Sequence, residues 1–307
     1  MKKFAFSDFE AYAEAIPSLM GRVRLVAREQ RGWALDVADA GGLVLVGGQS
    51  GAAGLYEGAY HADVFGIYAP SAGSQTTVNG QPVHDGMFAL LPPGAEVHVR
   101  SRAPGRYLGL DVPREEMLQR MQREGIDPKV LEGGAMVIQR PNPLVQLAGA
   151  TLDGLQRGET TGTGSAGQHL RECLLLAVAD ALPKRAPPAA LGRPVTRGRV
   201  LRRAMLHIEE CLQTGVPLTG LAQALHVSQR TLNRAFVESV GMSAQAYIRM
   251  SRLHAIRGAL LAARPGETVT GVAARYNVWD TGRMAGEYRR LFGLHPSEQL
   301  NRAVSVK

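Results

Sequence analysis

The chain has 307 residues, more than one hydrophobic core usually organises, so we expect about two domains. Residues 1–192 carry 18 Lys and Arg against 20 Asp and Glu, a balance of −2, whereas residues 193–307 carry 17 against 7, a balance of +10. This difference indicates a polyanionic partner for the C-terminal part alone. Two cysteines and the lack of any apolar run near about 18 residues argue against a disulfide framework and a membrane span. We therefore expect a cytoplasmic protein.

The first part of the chain has the pattern of a β domain. Short apolar stretches separated by Gly, Pro and Asn follow one another from Gly21 to Val112, and Asn-Gly at the centre of residues 78–81 predicts a hairpin turn. A spaced set of residues then resembles the second motif of cupin barrels, with the histidine displaced by one position; the set is Gly86, Pro92, Gly94 and His98. We predict a cupin-like effector-sensing β-barrel over residues 1–112.

A catalytic cupin would also need a set of metal ligands. The expected His-x-His pattern with a following Glu is absent around residues 60–63, although His61, His84 and His98 remain candidates to converge on a metal. We predict no enzyme activity, no metal and no cofactor. A cupin-type metalloenzyme with a basic appendage stays open as an alternative.

The apolar spacing becomes helical after Pro113. Three segments have helical length and periodicity, namely 114–124, 144–155 and 168–182. They define a predicted helical dimerisation segment over residues 113–182, with a plain role in the core as the alternative. The proline-rich residues 183–198 predict an interdomain linker.

An internal repeat is the strongest signal in the rest of the chain. Residues 218–227 align without a gap with residues 269–278, and each copy has apolar residues at the spacing of a buried helix face. With one extra residue in the second turn, three further positions match, namely Leu232 with Met284, Phe236 with Tyr288 and Gly241 with Gly293. The pattern predicts an all-α domain over residues 199–307 with two helix-turn-helix units, joined by a long helix over residues 244–262.

The second helix of the first unit has one apolar and one polar face. Ser228 is a favourable N-cap for a helix that begins at Gln229, and the inner stripe comprises Leu232, Ala235 and Phe236. The opposite face contains the residues that we predict to contact bases, Arg230, Asn233, Arg234 and Val237. Arg pairs with guanine, Asn pairs with adenine, and Val contacts the thymine methyl group.

The second unit lacks the corresponding side chains. Gly282 and Gly286 occupy the positions of Arg230 and Arg234, so we expect this unit to contact mainly phosphates. Trp279 before this helix is predicted to be a core or turn anchor. The residues predicted to contact or position the DNA backbone are Gln229, Thr231, Thr281, Arg283, Arg289 and Arg290.

These motifs resemble the AraC/XylS family of transcription regulators over roughly residues 199–300. The resemblance is carried by Val227–Leu232, Gly241–Ser243, Ile248–Leu253 and Tyr288–Ser297. Residues 279–283 further resemble the sub-branch that includes the ethanolamine-utilisation regulator, whereas Asn277-Val278 departs from the usual Gly-Phe. The resemblance implies a promoter-binding regulator, usually dimeric, most often an activator that contacts RNA polymerase, with an effector pocket in its N-terminal domain.

Repeat, charge and resemblance together predict the function. We expect a sequence-specific regulator that binds double-stranded DNA and a small-molecule effector as a homodimer, and contacts RNA polymerase. A non-specific architectural DNA-binding protein is the further alternative, because it would show the same basic balance. The sequence assigns no residue to the effector.

Overall fold

A computed structural model of the protein describes residues 1–131, 134–139, 143–184, 194–214 and 220–305. The chain divides into two compact units, Met1–Val23 with Gln30–Leu191, and Arg24–Glu29 with Gly192–Lys307. The first unit is rich in β-structure and the described part of the second is dominated by helices, which confirms the predicted α+β class with a helical C-terminal region. None of the described helices is long and apolar enough to cross a membrane.

The strands form two sheets. Their bounds are β1 (Lys2–Phe6), β2 (Leu19–Leu25), β3 (Trp33–Ala40), β4 (Leu43–Ser50), β5 (Gly54–Tyr60), β6 (Val64–Pro70), β7 (Thr76–Val78), β8 (Gln81–Val83), β9 (Phe88–Leu91), β10 (Glu96–Ser101), β11 (Gly105–Pro113) and β12 (Met136–Ile138). Among the described residues, one sheet has the order β1-β3-β4-β11-β6-β9-β12 and the other β2-β5-β10-β7-β8. The predicted hairpin is confirmed: Val78 pairs with Gln81, and Asn79 and Gly80 both have positive φ angles, 48° and 81°, as a two-residue turn requires.

The helices that the sequence predicts occur in the predicted order, together with others that it did not predict. Their bounds are α1 (Phe9–Ala15), α2 (Arg114–Arg123), α3 (Pro143–Arg157), α4 (Gly164–Ala181), α5 (Pro194–Thr214), α6 (Leu221–Ala224), α7 (Gln229–Val240), α8 (Ala244–Leu261), α9 (Val269–Arg275), α10 (Thr281–Phe292) and α11 (Pro296–Ser305). The long helix predicted over 244–262 is thus present as α8. Strand β1 and helix α1 were not predicted, because neither is long enough to show a clear period.

Helices α2, α3 and α4 share one core with the seven-stranded sheet. Leu110 and Val112 of β11 belong to the same buried cluster as Leu152 of α3 and Val178 of α4. Strand β12, which lies beyond residue 112, also pairs with β9 in this sheet. Residue 112 therefore does not separate two domains as predicted, because the helices after it pack on the apolar face of the strands before it.

The predicted linker needs a second correction. Helix α5 begins at Pro194, so the last part of the segment 183–198 is helical. Proline fits the first turn of a helix, where its missing N–H has no intrahelical partner. Residues 185–193 of the predicted linker lie outside the described part of the chain.

Candidate nucleic-acid interface

Helices α6 and α7 form the first predicted unit. The turn between them contains His226 with a left-handed φ of 55°, and α7 begins where Ser228 Oγ accepts a hydrogen bond from the Thr231 amide at 3.0 Å. At the other end, Gly241 closes the helix with a φ of 68°. The predicted N-cap and helix start are confirmed, while residues 218–219 of the repeat lie outside the described residues.

Helices α9 and α10 repeat this geometry. Asn277 has a φ of 57° at the position equivalent to His226, and Asp280 Oδ1 accepts from the Arg283 amide at 3.0 Å. Gly293 ends α10 with a φ of 82°. Asn277 therefore adopts the conformation for which the family commonly uses glycine, and asparagine tolerates it better than most side chains.

The inner faces of both second helices are buried as the repeat predicts. Leu232 and Phe236 of α7 are 1% and 0% exposed, and Met284 and Tyr288 of α10 are 3% and 0% exposed. Phe236 also packs on Tyr247 of α8, with ring centroids 5.1 Å apart. This burial fixes which face of each helix remains available to a partner.

On α7 the available face is the predicted one. Arg230 and Arg234 are exposed, and Val237 is 48% exposed although it is apolar. Arg234 Nε donates to Glu238 Oε1, one turn along the same helix, at 2.5 Å. An exposed ion pair of this kind contributes little to stability, so the guanidinium is available for a better acceptor.

Asn233 is exposed but already makes a structural contact. Its Oδ1 accepts a hydrogen bond from the Ala244 amide in the first turn of α8, at 3.3 Å. A bidentate pair with adenine needs that oxygen as an acceptor and the amide nitrogen as a donor. Asn233 therefore joins α7 to α8 in this structure, a role that helical spacing does not reveal because the partner is eleven residues away.

The residues predicted to contact the backbone lie at the ends of α7 and α10. Arg283, Arg289 and Arg290 are exposed, and Thr281 at the start of α10 is half-buried. Arg283 Nε donates to Glu287 Oε1 at 3.3 Å, so it too has a local carboxylate. In the first helix-turn-helix unit, Gln229 and Thr231 are exposed in the first turn of α7.

Trp279 fits only one of its two predicted roles. It precedes the N-cap of α10 and is 77% exposed, so the core alternative is wrong. The turn alternative remains, because the Trp279 carbonyl accepts a hydrogen bond from the Thr281 amide at 3.1 Å. The buried side chains of α10 are instead Met284, Tyr288 and Leu291. Trp279 lies at the N-terminal end of this helix, the end that also contains Arg283. A large exposed aromatic side chain beside a basic helix is a candidate partner contact.

The three histidines kept as candidate metal ligands do not assemble. His98 hydrogen-bonds Asn79 through its amide at 2.8 Å, and burial lowers the pKa of its imidazole. His61 lies near Asp63, at 3.8 Å. The described residues include no group of three or more His, Cys, Asp or Glu side chains arranged to hold a metal.

Sequence comparisons with known proteins match about a third of the chain or less. A family model described as a helix-turn-helix domain matches residues 221–302. The chain is 34% identical over 102 residues to the probable thc operon regulatory protein of Rhodococcus erythropolis, across 33% of this chain and 31% of that protein. It is 36% identical over 101 residues to the XylDLEGF operon transcriptional activator 1 of Pseudomonas putida, across 33% and 30%. The match thus spans about a third of each relative.

Solved structures match over more of the chain, but less closely. The AraC-like transcriptional activator CuxR is 19% identical, with a TM-score of 0.44 over 82% of this chain and 94% of that one. ToxT from Vibrio cholerae O395 is 9% identical, with a TM-score of 0.31 over 93% and 98%. The closer resemblance to the ethanolamine-utilisation regulator stays a prediction. The family model and the curated relatives confirm the family prediction, and the C-terminal region is a helix-turn-helix domain of the AraC/XylS type.

Proposed function

We propose that the protein is a sequence-specific DNA-binding transcription regulator with two helix-turn-helix units, in which α7 contacts bases and α10 contacts phosphates. The exposed face of α7 supports this most directly, because Arg230, Arg234 and Val237 lie on the side of the helix opposite its buried stripe. Two of these side chains are donors suited to guanine, and the third suits the thymine methyl group.

The N-terminal compact unit, Met1–Val23 with Gln30–Leu191, is the proposed effector-sensing domain, with a cupin-like arrangement of its strands. The curated relatives named as operon transcriptional activators support an activator. Contact with RNA polymerase is proposed from the family resemblance alone. We propose a homodimer that uses residues 113–182. Leu176 on α4 supports this surface, because it is 51% exposed while the opposite side of the helix is buried.

The test is selection of binding sites from a pool of random duplexes, followed by competition at fixed salt. We expect the selected site to bind at least about 10³-fold more tightly than unrelated DNA. The double variant Arg230→Ala, Arg234→Ala should lose most of this preference. Arg302→Ala, which removes one exposed cation from α11, is the matched control and should keep it.

An architectural DNA-binding protein would give a different result. It would bind all duplexes with nearly equal affinity, and the pool would yield no common sequence. That outcome would contradict the proposed function.

A further inference from the structure

The N-terminal compact unit, Met1–Val23 with Gln30–Leu191, has a cavity between its two sheets. The cavity has a volume of about 50 Å³. Its walls come from β4, β5, β6, β10 and β11, and they are largely apolar, with Val46, Ile67 and Val99 among the lining residues. A space of this size admits a small molecule, since a single water needs about 10–15 Å³ on the same scale.

Four tyrosines line the cavity, namely Tyr56, Tyr60, Tyr68 and Tyr107. The rings of Tyr68 and Tyr107 lie 5.3 Å apart, centroid to centroid. Burial raises the pKa of each of these phenols, so all four stay neutral at physiological pH. A neutral phenol ring has a negative face, which attracts a cation placed against it.

Two glycines allow this arrangement of rings. A Cβ at Gly48 would lie 2.1 Å from the Tyr107 ring, and a Cβ at Gly66 would lie 2.3 Å from the Tyr60 ring. Any side chain at either position would displace the tyrosine. The Tyr107 and Tyr60 rings thus occupy the space that side chains at Gly48 of β4 and Gly66 of β6 would take.

A buried carboxylate completes the site. Asp111 is 5% exposed, and the Tyr60 hydroxyl donates to its Oδ1. Its Oδ2 is buried, and no donor among the described residues meets the distance and angle of a hydrogen bond to it, although Ser18 lies close to this carboxyl group. Among the residues lining the cavity there is no Lys, Arg or His, and no second carboxylate. Burial, which outweighs the lowering effects of Tyr60 and Ser18, raises the pKa of Asp111 to about 6.

We propose that this cavity binds a small organic ammonium ion, whose N–H donates to Asp111 Oδ2 and whose charge lies against the tyrosine faces. The proposal rests on the proposed function, because it identifies the chemistry of the effector. A cation is attracted by both the carboxylate and the aromatic faces. A neutral apolar ligand would leave the buried carboxylate without a counter-charge, and an anion would be repelled by Asp111.

The test compares three probes of similar length on the full-length protein by calorimetry and thermal unfolding. The probes are butylammonium, the neutral donor 1-butanol and the anion butyrate, each up to about 10 mM, since ligands this small reach only modest affinity. We expect butylammonium to bind at least about tenfold more tightly than either of the others. Its affinity should also rise between about pH 5 and pH 7, because Asp111 must be ionised.

Asp111→Asn keeps the shape of the side chain and removes the charge. It should lower the affinity for butylammonium at least about tenfold. Asp63→Asn makes the same change at an exposed carboxylate, whose side chain is 83% accessible, and should bind as the wild type does. If Asp111→Asn fails to fold, the three-probe comparison on the wild type still decides.

Three outcomes would overturn the proposal. They are equal binding of 1-butanol and butylammonium, undiminished binding by a folded Asp111→Asn, and no binding of butylammonium at all. None of them depends on DNA. Failure of site selection with intact ammonium binding would overturn the regulatory function instead, so the two failures are distinguishable.

Discussion

Helices α7 and α10 share a frame and differ on the outer face. Each has twelve residues, a side-chain N-cap that accepts from the third amide, a buried aromatic residue and a left-handed glycine at its end. On the outside, Arg230 and Arg234 of α7 are replaced by Gly282 and Gly286 of α10. The capping and burial that hold the fold are repeated, while the side chains that would contact bases are present in one copy only.

The difference between α7 and α10 is the reason why we propose base contacts for one helix and phosphate contacts for the other. A helix with two glycines on its outer face still presents its amides and terminal arginines to phosphates, but it offers no side chain to a base edge at those positions. The cations of α10 lie in its first and last turns, as Arg283, Arg289 and Arg290.

The largest expected effect concerns the buried rings. Phe236→Ala and Tyr288→Ala should each lower the free energy of unfolding by about 3–5 kcal/mol, because each empties a fully buried aromatic position. Denaturant titration followed by circular dichroism measures it. Val237→Ala, on the exposed side of α7, should change it by no more than about 0.5 kcal/mol. A cost below about 1 kcal/mol at either ring would break the structural equivalence of the units.

The next effect concerns base contact. Arg234→Ala should weaken binding to the selected site by about 1–3 kcal/mol, because it removes a donor pair to a base edge. Glu238→Ala removes the ion-pair partner of Arg234 and should leave affinity equal or higher. Fluorescence anisotropy at constant salt measures both. A loss from Glu238→Ala as large as that from Arg234→Ala would place the ion pair, rather than a base contact, at the origin of the effect.

The glycines of α10 should differ from one another. Gly286 lies within the helix with open space where a Cβ would be, so Gly286→Ala should stabilise the protein by up to about 1 kcal/mol and leave DNA affinity unchanged. Gly293→Ala should destabilise it, because its φ of 82° disfavours side chains. Thermal unfolding compares the two. If Gly286→Ala weakens DNA binding, the backbone itself approaches the duplex there.

The smallest effect concerns the two turns. His226→Gly should raise the free energy of unfolding by about 1 kcal/mol or less, since His226 has a φ of 55°, whereas Asn277→Gly should be close to neutral because asparagine already tolerates this conformation. Parallel denaturant titrations measure the difference. Stabilisation by Asn277→Gly alone would show that the second turn, rather than the first, is strained.

Local signals predicted the C-terminal frame well. The cap at Ser228, the start at Gln229 and the buried stripe of α7 all follow from spacing within one helix, and the structure confirms them. The exposure of Trp279 and the contact of Asn233 with Ala244 depend on how neighbouring elements pack, and helical period carries no such information.

The cavity in the N-terminal compact unit could not be predicted from the sequence. Tyr56 lies on β5, whereas Tyr107 and Asp111 lie on β11, and these two strands are far apart in the chain and belong to different sheets. Asp111 stands in an otherwise ordinary apolar strand, where a single acidic residue is usually solvent-facing. Residues that are distant in sequence and close in space require the structure.

The most direct test of the unequal units is the specificity ratio of two variants. Arg234→Ala and Arg289→Ala each remove one exposed arginine, and their affinities for the selected site and for unrelated DNA are measured across a salt series. We expect Arg234→Ala to reduce the free-energy difference between binding to the selected site and binding to unrelated DNA by about 1–3 kcal/mol. Arg289→Ala should weaken binding to both duplexes alike and reduce the slope of log affinity against log salt concentration by about 1. Equal loss of discrimination in the two variants would contradict the assignment of bases to α7 and phosphates to α10.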